Sequence, residues 1–366
     1  MQKEKLVPAI RFKGFSEEWK EKKINQILIP IVSNLTMLCI QEKELYPVYD
    51  ANNIVGYSSY ALSSVPYLTI IKDGSGVGRT RKLPANSSFL GTMTGLIPKN
   101  SDIDFTYNLM SSLKLEKNFS GSTIPHIYFS DYGKYLVYVP SIIEQQKIGH
   151  FFSSLDYLIH SQELKLEKHQ TIKQSLLNKM FASDDQKIPE IRFKGFHQEW
   201  KRVMLSNCLD YERPDKYIEK LPLLEFGPIP VLTANKSFKL GYTESQNYYA
   251  KGDCILFDDF TLDSKYVDFP FMVVSSALKI LSLKNSQDSL PYYFAILKNN
   301  TFESQGHARH YISIVAKTPI KISNSIEERN QIGLLFTVLD SLIHSQEQKL
   351  EKLNNIKQAL LEKMFC

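Results

Sequence analysis

The sequence predicts an α+β fold in which two globular α/β domains are separated by two long helices packed as an antiparallel coiled coil. Three observations lead to this prediction. A block near the start of the chain recurs near its middle, two long helical segments are close copies of each other, and the chain between these repeats contains short β-type runs. The repeats predict an internal pseudo-two-fold relation between the halves.

The first repeat is a short opening block. Pro8–Phe15 reads PAIRFKGF and is followed by Trp19, and Pro189–Phe196 reads PEIRFKGF and is followed by Trp200. Each half of the 366 residues is long enough to bury its own core. We therefore predict a domain at 1–141, a helix with a linker at 142–182, a second domain at 183–324 and a second helix at 325–366.

The regions between the repeats have diverged in sequence and differ from the helices in pattern. Short runs rich in β-branched and aromatic residues predict strands at Tyr67–Ile71, Tyr135–Val139, Ile255–Phe257 and Phe271–Val274. Short helices are expected around Tyr107–Leu115 and Leu290–Lys298. Each half is therefore expected to contain a compact mixed domain.

The second repeat predicts the two long helices. Glu144–Phe181 and Glu328–Phe365 are identical at 24 of 38 positions, and their apolar residues recur at steps of three or four. A helix of this length is a rod of roughly 57 Å. The stripe includes Ile172 and Ile356, and the residues predicted to form the helix packing are Ile148, Leu155, Ile159, Gln162, Leu166, Ile332, Leu339, Ile343, Gln346 and Leu350.

An apolar stripe of this length needs a partner, and the simplest partner is the other helix. Two halves related by a pseudo-two-fold axis would pair these helices antiparallel. The alternative is that each stripe is ordinary core of its own half. Gln162 and Gln346 interrupt the stripes at equivalent positions; a buried amide would fix the register of the helices, and an exposed one is equally compatible with the pattern.

Composition narrows the class of protein. The content of 43% hydrophobic residues is ordinary for a globular chain, and no stretch approaches the ~20 apolar residues that span a bilayer. The four cysteines have no paired spacing, which disfavours a zinc site or a disulfide framework and favours the cytoplasm. The net charge of +5 permits phosphate contacts without requiring them.

The sequence contains no motif that predicts an active site. Asp73–Gly78 reads DGSGVG, but no amphipathic helix follows it, so a cofactor site is disfavoured; a turn that approaches phosphates and a plain solvated turn both remain open. Asp258, Asp259 and Asp263 are expected to form a solvated acidic loop. The histidines show no ligand spacing. We therefore predict a non-catalytic chain without a metal site or a cofactor of its own.

Polar clusters precede both long helices. Gly121–His126 reads GSTIPH and Gly306–Tyr311 reads GHARHY, and such side chains suit hydrogen bonds to phosphates or base edges. A turn leading into a strand would look the same, but the matching location in both halves favours a functional role. The candidate DNA-binding residues are Ser75, Arg79, Arg81, Lys82, Ser122, Thr123, His126, Lys236, His307, Arg309, His310 and Tyr311.

These motifs, taken in chain order, resemble the specificity (S) subunits of type I restriction–modification systems. The resemblance is carried by the paired openings at Ile10–Trp19 and Ile191–Trp200, by the helix starts at Glu144–Gly149 and Glu328–Gly333, and by the helix ends, which read LLNKMF at Leu176–Phe181 and LLEKMF at Leu360–Phe365. The second start departs from the pattern, since it reads ERNQIG. The apolar spacing after it is intact.

The resemblance implies a function and a set of partners. It implies two target-recognition domains that read the halves of a bipartite, asymmetric site in double-stranded DNA, and two helices that set the spacer and dock two modification (methyltransferase) subunits, with restriction/translocase subunits as further partners. S-adenosylmethionine and ATP are then expected on those partners. The alternative is a coiled-coil scaffold or adaptor that binds other proteins and no DNA.

Overall fold

The computed structural model of this chain describes residues 7–117, 125–183, 185–220, 222–233, 238–300, 302 and 310–365. The chain forms two compact units. The first unit comprises Met1–Leu164 and Gln348–Cys366, and the second comprises Lys165–Glu347. The four segments predicted from the sequence follow chain order, whereas compactness groups part of each long helix with each sheet domain.

The first unit is built from short strands and helices followed by most of a long helix. Its elements are β1 (Lys20–Lys23), α1 (Ile24–Ile27), β2 (Leu28–Val32), β3 (Tyr46–Tyr49), β4 (Ile54–Ser58), β5 (Tyr67–Ile71), β6 (Thr80–Leu83), β7 (Ser88–Phe89), β8 (Met93–Pro98), α2 (Ile103–Ser112), α3 (Phe129–Tyr132), β9 (Leu136–Val139) and α4 (Ile142–Met180), whose last residues belong to the second unit. Strand β5 is buried along its whole length, as its apolar sequence predicts.

The second unit has a parallel list of elements. These are β10 (Lys201–Met204), β11 (Leu209–Glu212), β12 (Ile229–Leu232), β13 (Lys239–Thr243), β14 (Cys254–Asp258), β15 (Ser264–Val267), β16 (Met272–Val273), β17 (Leu278–Leu283), α5 (Leu290–Asn299), α6 (His310–Ser313), β18 (Pro319–Ile322) and α7 (Ile326–Met364), whose last residues belong to the first unit. The predicted strands and short helices are all present, with ends shifted by a few residues.

The two units share one sheet topology although their sequences have diverged. Each has a four-stranded antiparallel sheet, in the orders β2-β8-β5-β6 and β11-β17-β14-β15. Each has a three-stranded sheet with one parallel pair, β4-β3-β7 and β13-β12-β16, and a two-stranded ribbon, β1-β9 and β10-β18. Even the register shift in the small sheet recurs, at Val48/Tyr49 and at Val231/Leu232.

The long helices contribute an antiparallel pair of segments to each unit. In the first unit Asp156 of α4 pairs with Lys357 of α7 at 2.6 Å, and in the second unit Lys173 of α4 pairs with Asp340 of α7. A second contact in each unit gives the direction: Phe152 meets Phe365 in the first unit, and Phe336 meets Phe181 in the second. Between the two contacts of each unit the residue number rises along one helix and falls along the other, which requires opposite chain directions. The predicted antiparallel packing of the helices is therefore confirmed within each unit.

The predicted apolar stripe is wrong at two positions, which do not lie on the packed face of the helices. Ile172 and Ile356 are 37% and 40% exposed, whereas Lys173 and Lys357 lie on the packed face with side chains 23% exposed. A lysine can occupy such a position because its aliphatic stem packs while its ammonium reaches a carboxylate. The stripe then continues through Leu177 and Leu361, which are buried.

The predicted helix-packing residues are buried near the start of each long helix and half-buried towards its middle. Ile148, Ile332, Leu155, Leu339 and Ile159 are buried. The remaining ones are half-buried, namely Gln162, Leu166, Ile343, Gln346 and Leu350. Gln162 Nε2 and Gln346 Oε1 are inaccessible and have no hydrogen-bond partner among the described residues, so neither amide is simply solvated.

An equivalent aromatic cluster joins helices to sheet domain in each unit. In the first unit the Phe365 ring lies 5.5 Å from Phe105, 6.0 Å from Phe152 and 6.3 Å from Trp19 between centroids. In the second unit Phe181 takes the place of Phe365, and its neighbours are Tyr292 at 5.4 Å, Phe336 at 5.8 Å and Trp200 at 6.2 Å. The repeated Trp and Phe of the sequence therefore form the core contacts that close each unit.

The opening blocks are fixed by backbone and ionic contacts that also recur. Ile10 N–H donates to the Lys363 carbonyl at 2.9 Å, and Ile191 N–H donates to the Lys179 carbonyl at 2.9 Å. Each opening thus satisfies a carbonyl at the end of a long helix, which would otherwise lack a partner. The opening of the first unit meets the end of α7, and that of the second meets the end of α4.

A buried arginine–glutamate pair anchors the start of each long helix. Arg11 donates two bonds to the Glu144 carboxylate, at 2.7 and 2.8 Å, and Arg192 donates two to Glu328, at 2.6 and 2.9 Å. The glutamate side chains are 1% and 0% exposed. Two-pronged contacts of this kind fix orientation as well as distance, which explains why the motif repeats both partners.

Among the described residues, neither long helix nor any other is apolar enough over a sufficient length to cross a membrane.

Candidate nucleic-acid interface

The candidate interface of the first unit is built around the turn between β5 and β6. We call Asp73–Gly78 the glycine turn. Gly74, Gly76 and Gly78 adopt φ values of +85°, +80° and +85°. A Cβ on Gly78 would lie 2.4 Å from the backbone nitrogen of Glu116, so only glycine fits there. The turn is therefore a fixed, close-packed structure, and it exposes Ser75 at its tip.

The glycine turn and the adjacent Lys72 contact Pro125, His126 and Ile127, which shortly precede α3. Gly74 N–H donates to the Pro125 carbonyl at 3.0 Å, and Ile127 N–H donates to the Lys72 carbonyl at 2.9 Å. His126 Nδ1 lies 2.8 Å from the Asp73 carboxylate. The structure thus brings together Ser75 and His126, two candidate residues about fifty positions apart in the sequence.

The three basic residues after the glycine turn do not share one surface. Arg79 donates to the Ala51 carbonyl at 2.7 Å and to Asn52 Oδ1 at 2.6 Å, which ties it to the turn between β3 and β4. The Arg81 guanidinium lies 5.1 Å from the centre of the Tyr49 ring. Both arginines therefore lie against the end of β3 and the turn that follows it.

Lys82 lies on the opposite face of β6, because side chains alternate along a strand. It pairs with Asp104 of α2 at 2.5 Å and lies over the Tyr107 ring. The sequence grouped Lys82 with Arg79 and Arg81, and the structure separates it from them. Its contacts hold α2 against the sheet.

The second unit places an equivalent turn between β14 and β15. We call Asp259–Asp263 the second-unit turn. Asp259 N–H donates to the Ala277 carbonyl at 3.2 Å, as Lys72 N–H donates to the Thr92 carbonyl at 3.0 Å in the first unit. The Tyr311 N–H donates to the Asp259 carboxylate at 2.9 Å. The end of the second polar cluster therefore meets this turn, as His126 meets the glycine turn.

Two predictions about this region are wrong. Asp258 and Asp259 are 3% and 5% exposed, so they do not form a solvated acidic loop. Tyr311 is 1% exposed, and its ring packs against Tyr211 and Phe257 in the core. Tyr311 is therefore a core residue rather than a DNA contact. The sequence did not distinguish the two roles, because a tyrosine that follows a polar run can either enter the core or face the solvent.

Asp263, the last residue of the second-unit turn, forms ion pairs with two lysines. Burial acts to raise the pKa of Asp263, but the hydrogen bond and charge of Lys298 outweigh it and keep the pKa below its ordinary value. Lys265 lies 3.4 Å away and acts in the same direction. The carboxylate therefore remains ionised and paired.

Several candidate residues lie outside the described residues, namely Ser122, Thr123, Lys236, His307 and Arg309; of His310 only the backbone is described. Their role stays a prediction. Sequence reasoning missed Asp73, Asn52 and Tyr128, of which Tyr128 stacks on His126 at an angle of 8° and is 47% exposed. Only the fold, by joining three separate turns, connects these residues.

The described residues contain no group of three or more His, Cys, Asp or Glu side chains that could hold a metal ion.

This chain is similar to several known proteins. Residues 16–169 match the family model described as type I restriction modification DNA specificity domain. A stretch of 135 residues is 37% identical to the type I restriction enzyme EcoR124I/EcoR124II specificity subunit of Escherichia coli, and covers 35% of this chain and 33% of that subunit. The match thus spans about a third of the length of that relative.

Two longer matches cover most of the chain. The type I restriction enzyme MjaVIII specificity subunit of Methanocaldococcus jannaschii is 20% identical over 330 residues, which are 80% of this chain and 77% of the relative. The crystal structure of a type I restriction-modification S subunit from M. genitalium matches 98% of this chain and 99% of its own at a TM-score of 0.76 and 17% identity. At that identity the structural match establishes the fold.

Proposed function

We propose that this chain is a specificity subunit of a type I restriction–modification system, the DNA-recognition component of such a complex, and that it reads a bipartite, asymmetric target; the match of residues 16–169 to the DNA specificity domain supports this. Each unit would read one half of the target through its turn and the segments beside it. The proposal rests most on one observation: the units share their sheet topology, yet the equivalent turns carry different residues.

That observation connects structure to an asymmetric target. A repeated fold supplies the same placement of loops twice, while specificity depends on the side chains that reach base edges. Glycine and serine occupy the turn of the first unit, which Arg79 follows, and phenylalanine, threonine and leucine occupy that of the second. Two different surfaces on one scaffold suit two different half-sites.

The partners follow from the exposed faces of the long helices. In the second unit Leu334, Val338 and Leu342 of α7 are 65%, 48% and 41% exposed at steps of four residues. In the first unit Tyr157 and Leu158 of α4 are 73% and 54% exposed. Continuous apolar surface on a helix favours a protein partner, and we assign these faces to two modification subunits, beside which restriction/translocase subunits would assemble.

This chain would then hold no catalytic residue. Methyl transfer from S-adenosylmethionine and any use of ATP would belong to the partner subunits, and the complex would act in the cytoplasm, where its DNA substrate lies. The exposed Arg79 and Ser75 and the half-buried His126 would contact phosphates or bases of duplex DNA, as polar and basic side chains do in other complexes.

The test is to produce the chain together with its modification subunits and to map methylated adenines in DNA treated with the complex. Methylation confined to one split sequence with a fixed spacer is the expected result. Equal methylation of unrelated sequences would overturn the proposal. A shift of duplex DNA in electrophoresis, with and without the partners, separates DNA recognition from a scaffold that binds only proteins.

A further inference from the structure

The second-unit turn holds an aromatic side chain away from the protein. Phe260 is 69% exposed, although the two residues before it, Asp258 and Asp259, are almost completely buried. Most large apolar side chains near a core turn inward. A phenylalanine that a fixed backbone holds outward is therefore available to contact a binding partner.

The backbone around Phe260 is fixed by Asp258. The Asp258 carboxylate accepts bonds from Phe260 N–H at 3.0 Å and from the hydroxyl of Thr261 at 2.6 Å. Leu262 N–H donates to the Asp258 carbonyl at 3.0 Å, and Leu262 has a φ of +59°, a conformation that non-glycine residues adopt rarely. These contacts hold the Phe260 backbone in one position, so ordering the turn on binding costs little.

The turn presents little net charge around the ring. Asp259 pairs with Lys279 at 3.1 Å, with both side chains 7% exposed, and Lys279 also donates to the Ser276 carbonyl. Asp263 is paired with Lys298 and Lys265. The carboxylates that would repel a polyanion are thus occupied within the protein, and the exposed feature of the tip is the aromatic ring.

The equivalent position of the first unit is occupied differently. The strand pairings align Ile71 with Asp258, because Ile71 pairs with Met93 as Asp258 pairs with Leu278. Two residues further along each chain, Asp73 stands where the second unit has Phe260. Asp73 is bound to His126 beside the glycine turn. The two units therefore differ at the point where their turns project.

We propose that Phe260 stacks on a base step in the second half of the DNA target and so determines specificity there. This rests on the proposed function and deepens it. Aromatic side chains bind base faces whatever the base, and an apolar wedge favours steps that unstack easily, so the selection acts through the deformability of the step. The glycine turn itself, Asp73–Gly78, contains no aromatic residue and would read its half-site by polar contacts.

The experiment uses the full chain with its modification subunits and duplexes that carry the mapped target with 2-aminopurine at successive positions of the second half-site. Binding of the unaltered complex is expected to raise 2-aminopurine fluorescence at one step. Phe260→Ala is expected to abolish that rise and weaken binding about tenfold, the scale of one base–aromatic stack. Phe260→Trp is expected to retain both properties.

The matched control is Phe269→Ala, which removes another exposed phenylalanine (41%) of the same unit, beyond the far end of β15 from the tip. It should leave fluorescence and affinity unchanged. If the unaltered complex methylates a defined bipartite site while Phe260→Ala retains its affinity and its fluorescence rise, this inference is overturned and the proposed function stands. If no defined site is found, the proposed function itself fails.

Discussion

At the scale of the residue, side chains of one type serve different purposes depending on which face of a strand they occupy. Arg79 and Arg81 lie against the end of β3 and the turn that follows it, whereas Lys82, one residue further, is paired with Asp104 on the opposite face. A run of basic residues therefore does not define a basic surface. The alternation of the strand decides which cations are available to a phosphate.

Arg79→Ala is expected to weaken DNA binding by the complex about three- to tenfold, because one guanidinium contact to phosphate is lost. The slope of log affinity against log salt concentration should decrease in magnitude by about one. Filter binding or fluorescence anisotropy at several salt concentrations measures both. Lys82→Ala is the matched control and should change neither quantity; equal effects from the two variants would contradict the assignment of faces.

The cysteines are expected to differ in reactivity. Cys39 is exposed, and a hydrogen bond with Thr36 lowers the pKa of its thiol, whereas burial raises the pKa of Cys254 to about 12. At pH 8 the thiolate, which is the reactive form, is therefore more populated at Cys39. Iodoacetamide followed by peptide mass spectrometry should label Cys39 in the native protein and Cys254 only after unfolding. Labelling of native Cys254 at the rate of Cys39 would refute this prediction.

At the scale of the element, the start of each long helix is set by close contact with a shorter helix. Gly333 of α7 lies against Ser289, which caps α5, and Gly149 of α4 lies against Asp102, which caps α2. A Cβ on Gly333 would fall 1.9 Å from Ser289 Oγ, and one on Gly149 would fall 2.5 Å from Asp102 Oδ1. The glycines therefore permit helix packing that no other residue allows.

Gly333→Ala is expected to destabilise the protein by about 1–3 kcal/mol through overpacking, which exceeds the gain of up to ~1 kcal/mol in helix propensity. Gly149→Ala should behave alike. The midpoint of urea unfolding, followed by circular dichroism, measures the change.

Asn355→Ala, at an exposed site of the same helix α7, is the control for helix propensity and should be neutral or slightly stabilising. If Gly333→Ala were as stable as Asn355→Ala, the close approach of α7 to α5 would not be present in solution.

At the scale of the whole molecule, each unit is assembled from parts of both repeats. The first unit takes its closing aromatic, Phe365, from the end of the chain, and the second takes Phe181 from the middle. The sheet domain of each unit is nevertheless continuous in sequence. A domain can therefore be exchanged between relatives while the helices and their contacts stay in place.

Under the proposed function, replacing residues 20–140 by the corresponding region of a type I specificity subunit is expected to change one half of the methylated target and to leave the other half unchanged. The reason is that the second unit contributes its own turn and sheets, none of which the exchange alters. Mapping methylated adenines for the hybrid complex measures this outcome. Loss of recognition at both halves would contradict independent reading by the two units.

The sequence by itself determined the duplication, the long helices, their pairing and four of the eighteen strands that the described residues form. These features depend on periodic or repeated patterns: the Trp and Phe of the repeats mark the clusters that close each unit, and steps of three or four residues mark the packed faces. Glycines at equivalent helix positions could be read from the sequence, but their neighbours could not.

Only the tertiary structure decided which polar residues stand together. Tyr311 proved to be core, Lys82 turned away from the arginines, and Asp259 became a buried partner of Lys279. None of these contacts follows a local period, because each joins segments brought together by sheet pairing across long stretches of chain. The openings and the long helices repeat, so they can be recognised from the sequence. Each candidate DNA-binding surface instead depends on how separate turns come together in the fold.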